Sequence, residues 1–327
     1  MSKNKYDKKE MEKKFKHLKK EIEEAGLTEK AGARGIIEMG IVTILFIASI
    51  ISIYTTNPII TILLFVLTIM RATYVAHDLI HGQYLDKKVE DKKLSYFFAN
   101  VIMGISSSWW NNKHNVLHHT FTNIIGKDTD IDAGGKVWQG KKEFIKYFHK
   151  NQHILFWFLL PLIYFSFWFS SIKYVLKNKE CKELLLLELN LIIPILIISQ
   201  YGIGYGLFII TTIYMLWSLW FGLVIVTNHL GLETFEEKDF NDFSFLELQT
   251  RTSRNVKGGK IIHWIYGGLN TQTEHHLYPR APRFYLLKAA KITEEFCKKN
   301  NINYNSKTPI ETYKELYDYL YETRIKD

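Results

Sequence analysis

The chain has 327 residues, 47% hydrophobic and 15% aromatic, enough to bury far more than one small core. A short peptide, a disordered tail and a disulfide scaffold are excluded. Lys and Arg number 42 against 33 Asp and Glu, a net charge of +9, but these charges lie between apolar blocks long enough to cross a bilayer, so no nucleic-acid partner is expected.

Residues 1–35 carry 11 Lys or Arg and 7 Asp or Glu before any apolar run, longer and more mixed than the basic segment of a cleaved export signal. Within them Met11, Phe15, Leu18 and Ile22 are spaced three to four apart, which predicts a cytoplasmic amphipathic surface helix. Two apolar runs follow, 36–54 and 59–76, each near the roughly 20 residues that about 30 Å of hydrocarbon requires. The link TTNP is so short that the runs must form a hairpin, which returns His77 to the side where the chain began.

The stretch 94–110 is apolar but interrupted by Ser and Asn, and predicts an interfacial or partly buried helix with Trp109 and Trp110 near the headgroups. Three more apolar segments lie at 153–170, 184–201 and 203–227. The loop SIKYVLKNKECKE between the first two carries four Lys, which the positive-inside rule keeps cytoplasmic. The simplest topology therefore lets 153–170 dip into the membrane near Pro161 without crossing, and leaves four crossings. From Pro309 onward the Glu and Lys spacing predicts a soluble helix against the cytoplasmic face.

The expected fold is an all-α integral membrane helix bundle. It has four transmembrane helices, interfacial or re-entrant helices and a cytoplasmic helical cap, in a multi-pass protein of the cell (inner) membrane. Residues 1–35 form the N-terminal helix, 36–300 the membrane domain and 301–327 the C-terminal helical tail.

The chain's 12 His are clustered: His77 and His81 in HDLIH, His114, His118 and His119 in WWNNKHNVLHH, and His275 and His276 in NTQTEHHLYP. His229 stands in TNHLG, directly after the last apolar segment. Spacings of three and four put imidazoles one helical turn apart on one face, where their nitrogens can converge on a metal. One HxxxH pair arises easily by chance; three clusters at membrane edges, all on one side, do not. Cys181 and Cys297 are the only cysteines, so no thiolate set supports copper or an iron–sulfur cluster. Zinc needs about four ligands and haem one or two, whereas this excess of imidazoles suits two irons that bind oxygen.

The order HDLIH, then HNVLHH, then QTEHH resembles the membrane fatty acid desaturases, non-haem diiron enzymes. More narrowly, Gln272 stands where most of that family has the first His of its third box, and GGLNTQTEHHLYPRAPR is similar to the front-end desaturases, which place a double bond between an existing one and the carboxyl end. The resemblance covers roughly residues 35–300. It implies that His77, His81, His114, His118, His119, His229, His275 and His276 are iron ligands, that Gln272 is at or near a ligand position, and that O2 is the co-substrate. It further implies an acyl-CoA or acyl-lipid substrate in contact with membrane lipids, and a cis double bond as product.

Two departures stand out. Many front-end desaturases carry a fused cytochrome b5 domain with a His-Pro-Gly-Gly motif; that tetrad is missing here and 35 N-terminal residues are too few for the domain, so electrons are expected from a separate ferredoxin, or cytochrome b5 with its reductase. Box one has Ile80 where relatives often have Gly, a bulkier side chain near the site.

Asp78, Asn115 and Glu274 are candidates to accept the outer N–H of a ligating imidazole, with helix-face solvation as the alternative. Asn228 is placed either to hydrogen-bond a water at the metal or to cap the last segment. His263 is a weaker candidate for the same supporting role. Arg251, Arg254, Lys257, Lys260, Arg280 and Arg283 read either as a surface for an acidic headgroup, coenzyme A phosphates or an acidic electron donor, or as a solvated membrane-proximal face. Rival functions are a sphingolipid desaturase and a diiron lipid or carotenoid hydroxylase or ketolase. A metal transporter or sensor would instead spread polar ligands through the crossings.

Overall fold

The computed structural model describes residues 6–129 and 143–325. Helices dominate, and the only strands among the described residues are two-residue parallel pairings, Ile124–Ile125 with Phe235–Glu236 and Asn255–Val256 with Ser306–Lys307. The chain divides into two compact units, one comprising Lys30–Asn112 and Leu159–Leu223, the other Met1–Glu29, Lys113–Phe158 and Val224–Asp327.

In the first unit, Ala33–Thr55 and Pro58–Ile80 form the expected hairpin. Asn57 caps the second helix through its side chain, which accepts from the Ile60 N–H at 3.1 Å, and Pro58 supplies the fixed φ that suits a first helical position. Polar groups within the hairpin are paired: Ser49 Oγ lies 2.9 Å from Thr68 Oγ1, the Thr61 hydroxyl donates to the Ser52 carbonyl, and Arg71 bonds Glu38. The opposite face of Ala33–Thr55 leaves Ile37, Ile44 and Ile51 bare, as a lipid-facing helix requires.

Four helices among the described residues are long and apolar enough to cross a membrane: Ala33–Thr55, Pro58–Ile80, Gln152–Asn178 and Ile203–His229. This is a multi-pass integral membrane protein. The number matches expectation but the membership does not. Residues 184–201 belong to two ten-residue helices, Cys181–Asn190 and Ile192–Tyr201, each only about 15 Å long. The break has a local cause, since Pro194 offers no N–H to the Asn190 carbonyl and its ring crowds that oxygen. Around Pro161, by contrast, the chain tightens into one 3-10 turn, Leu160–Leu162, and the apolar helix runs on to Asn178.

The stretch expected as one interfacial helix at 94–110 is also broken. The helix Lys88–Tyr96 widens into π winding over Phe97–Met103, stops at Gly104 in the left-handed region (φ 74°), and resumes at Ser107–Trp110. A Cβ on Gly104 would lie 2.5 Å from Asn190 Oδ1, so only glycine fits that turn.

In the second unit the N-terminal helix Lys8–Glu24 buries Met11, Leu18 and Ile22, three residues of the expected stripe, against Leu277, Leu286, Ala289 and Phe296. Phe15 packs at the edge of the same core. The C-terminal helix appears where the charge spacing placed it, at Pro309–Glu322, opened by a capping box between Thr308 and Glu311.

Candidate metal centre

Residues Asn111–His118 take π winding, and the His119 N–H donates to the His114 carbonyl five residues earlier. A wider turn brings both His118 and His119 beside His114, whereas an α-helix would align only the i, i+4 pair. His229 is the last residue of Ile203–His229, and His275 and His276 lie on the short helix Gln272–Leu277. Adjacent helical residues diverge by roughly 100°. Box three accordingly sends one imidazole into each of two groups.

The first group is His118, His229 and His276, all buried, with one nitrogen of each within 4.8 Å of the others. Each ring is held from outside by its Nδ1. That of His118 donates to Asp128 at 3.0 Å, that of His229 to the Thr252 carbonyl at 2.7 Å, and that of His276 to Gln249 Oε1 at 2.9 Å. An oxygen facing Nδ1 fixes the proton there and turns the Nε2 lone pair inward. His276 Nε2 is buried with no hydrogen-bond partner among the described residues. Burial first, then the neighbouring His229, His118, His275 and His114, push the His276 pKa well below the usual imidazole value, so the ring is neutral.

The second group is His114, His119 and His275. His119 Nε2 lies 3.2 Å from His114 Nε2 and 3.0 Å from His275 Nε2. Three imidazole nitrogens at such separations cannot all present lone pairs to one another without a shared cation or proton. In the other unit His77 and His81 stand one turn apart on Pro58–Ile80, with ring centroids 4.6 Å apart. His77 Nδ1 lies 3.3 Å from Asp78 Oδ1, and the Tyr84 hydroxyl holds the other Asp78 oxygen at 3.1 Å.

The donor set is imidazole nitrogen throughout. Cys297 is buried, its thiol pushed up to about 12 by burial and nearby Glu274, so it offers no thiolate. Buried imidazoles in this number, three of them anchored from outside, fit a diiron site.

Gln272 is buried beside the first group, where its Nε2 donates to His229 Nε2 at 2.8 Å, while its Oε1 has no hydrogen-bond partner among the described residues. Glu274 does not face an imidazole. Its carboxylate accepts from Asn255 at 2.8 Å and from the Tyr304 hydroxyl at 2.9 Å, and burial raises its pKa to about 7. Asn115 is half-buried on the π turn. The Asn228 side chain accepts from the Thr227 hydroxyl at 3.3 Å. His263 ties Asn270 to the Arg283 carbonyl rather than meeting either group.

The basic set is likewise divided. Lys257, Lys260 and Arg280 are exposed, but Arg251 is buried against Glu233 and Glu247, Arg283 is buried, and Arg254 is buried with Nη1 and Nη2 on the carbonyls of Thr227 and Leu230. Arg254 thus caps the helix end that carries His229, where a cation is favoured. Sequence reasoning missed Asp128, Gln249 and Thr252. All three anchor imidazoles, yet none stands at a helical spacing from the His it serves.

The fatty acid desaturase family model matches residues 56–308. Among curated proteins, a Delta(6)-fatty-acid desaturase of Caenorhabditis elegans is 30% identical over 252 residues, covering 71% of this chain and 57% of that protein. An acyl-lipid (9-3)-desaturase of Physcomitrium patens is 29% identical over 266 residues, 73% of this chain and 48% of the relative. An sn-1 linoleoyl-lipid 6-desaturase of Arthrospira platensis is 26% identical over 250 residues, 70% of this chain and 67% of the relative. The chain spans about half the length of most of the curated relatives it matches. With all three His boxes inside a match that covers most of its residues, the chain belongs to the fatty acid desaturase family.

Proposed function

We propose that the protein is an oxygen-dependent acyl-chain desaturase that uses a histidine-ligated diiron centre to insert a cis double bond on the carboxyl side of an existing one. The observation that carries this reading is the buried set His118, His229 and His276, each anchored through Nδ1 with its other nitrogen turned inward. The front-end placement is supported by Gln272 and by relatives whose names give the 6 position. When bound, two irons would supply the oxygen activation needed to remove hydrogen from an unactivated methylene, a task beyond any side-chain acid or base. The balance is one alkene and two waters from a –CH2–CH2– unit, one O2, two electrons and two protons.

In this reading His118, His229 and His276 hold one iron, and His114, His119 and His275 contribute to the other. His77 and His81 are assigned as further ligands on the strength of their box. Asp128, Gln249 and the Thr252 carbonyl orient the first three rings, and Asp78 orients His77. Glu274 anchors the Gln272–Leu277 helix through Asn255 and Tyr304. Acyl methylenes would pass along the small apolar pocket beside His77, lined by Ala76, Ile80, Ala99, Met103, Ile105 and Trp110, where exclusion of water protects the reacting carbon. The substrate is an acyl-CoA or acyl-lipid, the electrons come from a ferredoxin or from cytochrome b5 with its reductase, and the His boxes face the cytoplasm from the cell membrane.

A host expressing the gene and fed mono- and diunsaturated acyl chains tests this. The expected product carries a new double bond on the carboxyl side of an existing one. Hydroxylated products would move the assignment to the hydroxylases, and a bond in a saturated chain would sink the front-end placement alone. Purified protein with oxygen and lipid should turn over only when a reduced donor protein is added; turnover on NADH alone would overturn that part.

A further inference from the structure

The helix Cys181–Asn190 carries two buried polar side chains seven residues apart, Glu183 and Asn190, which two helical turns bring to one face. Both are spent on the broken segment 97–110. Asn190 Nδ2 donates to the carbonyls of Val101 and Ile102, at 2.8 and 3.2 Å, where the π winding ends. One oxygen of Glu183 accepts from three donors, Asn100 Nδ2 on the π winding at 3.0 Å, and Ser106 Oγ at 2.6 Å and the Ser108 N–H at 3.3 Å in the turn that follows. Asn100 in turn accepts from the Ser107 N–H at 3.1 Å, and Ser106 Oγ accepts from the Trp109 N–H at 3.0 Å. The bonds made by this carboxylate therefore tie the turn at Ser106 and Ser108 to Asn100 on the π winding before it.

That turn is a wall of the pocket beside His77. Ile105, Ser107 and Trp110 line it from this side and Thr73, Ala76 and His77 from the Pro58–Ile80 helix. Glu183 does not line the pocket. A turn that contains one left-handed glycine and no regular backbone ladder owes its shape to side-chain acceptors. Removing a buried acceptor with three donors leaves all three unsatisfied, and the segment relaxes toward any conformation that pairs them.

We infer that Glu183 is a positioning residue for substrate, which holds Ile105, Ser107 and Trp110 in the shape that fixes where an acyl chain stops beside His77. This rests on the desaturase reading above and deepens it, since the residue would set which carbons are presented rather than whether chemistry occurs. Nothing in the sequence signals the role, because Glu183 is 77 residues from Ser106 and reads as one charge in a Lys-rich loop.

The test compares wild type with Glu183→Ala and Glu183→Gln in the fed host, reading double-bond position in the product. Binding of a fluorescent polyunsaturated acyl probe to iron-free protein in detergent gives a second readout. Glu183→Ala should spread the product over neighbouring positions and bind the probe about tenfold more weakly, which is the factor that one unsatisfied buried group of roughly 1.4 kcal/mol produces. Glu183→Gln keeps an oxygen acceptor and should restore most of the positional fidelity. If Glu183→Ala does not fold, Ser106→Ala removes one of the three donors to Glu183 together with the acceptor of the Trp109 N–H, and should show the same spread in smaller degree. A Glu183→Ala protein with wild-type product positions and probe affinity would overturn the inference while wild-type desaturation stands. A wild type that makes no alkene and binds no probe would instead bring down the desaturase reading, and this inference with it.

Discussion

His118 donates its Nδ1 proton to the carboxylate of Asp128, whose oxygens lie 3.0 and 3.1 Å away, and both side chains are buried. The nearer Asp128 oxygen, Oδ2, also accepts from the Asn123 N–H at 2.9 Å, so the carboxylate is held independently of the imidazole. A carboxylate behind a ligating imidazole fixes its tautomer and raises its basicity. Asp128→Asn keeps the shape but loses the charge, and iron should bind about 10–100-fold more weakly. Iron retained after stepwise dialysis against a chelator measures this, and wild-type retention would show that Asp128 only supports the loop.

Two irons per chain are expected on gentle purification, with little zinc. His276→Ala removes the ring whose inner nitrogen has no hydrogen-bond partner among the described residues, and it should lower iron to about one per chain and abolish desaturation, with activity lost to a background set by the assay. Elemental analysis decides the point. A fully loaded wild type carrying one iron, or zinc in stoichiometric amount, is the result that sinks a diiron centre.

Gln272 bears on subclass. Its amide donates to His229 Nε2 at 2.8 Å and brings a neutral oxygen to the same place. Gln272→His replaces that weak oxygen donor by an imidazole nitrogen, so iron should stay bound at wild-type stoichiometry while turnover changes. Metal analysis alongside product profiles separates the two effects. Loss of iron in this variant would place Gln272 among the groups that hold the metal site together.

Crossings by the four long apolar helices would give a topology different from the one that charge alone suggests. If Gln152–Asn178 crosses and the broken pair Cys181–Asn190 and Ile192–Tyr201 does not, Lys177 lies on the same face of the membrane as Thr56, and Lys307 on the opposite face. Cysteines placed singly at 56, 177 and 307 should label accordingly with a membrane-impermeant reagent in intact cells. Labelling of 177 together with 307 would restore the arrangement in which 153–170 only dips.

The His boxes, the membrane hairpin and the two terminal helices were legible in the chain because each rests on a local period: i, i+4 imidazoles, apolar runs of bilayer length, and the Met11, Leu18 and Ile22 stripe. Local periodicity reports which face a residue occupies and no more. It could not show that Asn111–His118 winds as a π-helix, which is what brings both His118 and His119 beside His114, since no residue type marks that winding. Nor could it distinguish a proline that a helix absorbs, as at Pro161, from one that ends it, as at Pro194. Asp128, Gln249 and Thr252 lie 10, 27 and 23 residues from the rings they anchor, and Glu183 lies 77 from Ser106. Those pairings exist because buried donors and acceptors must find partners once the helices have packed, so only the tertiary structure could decide which residues they would be.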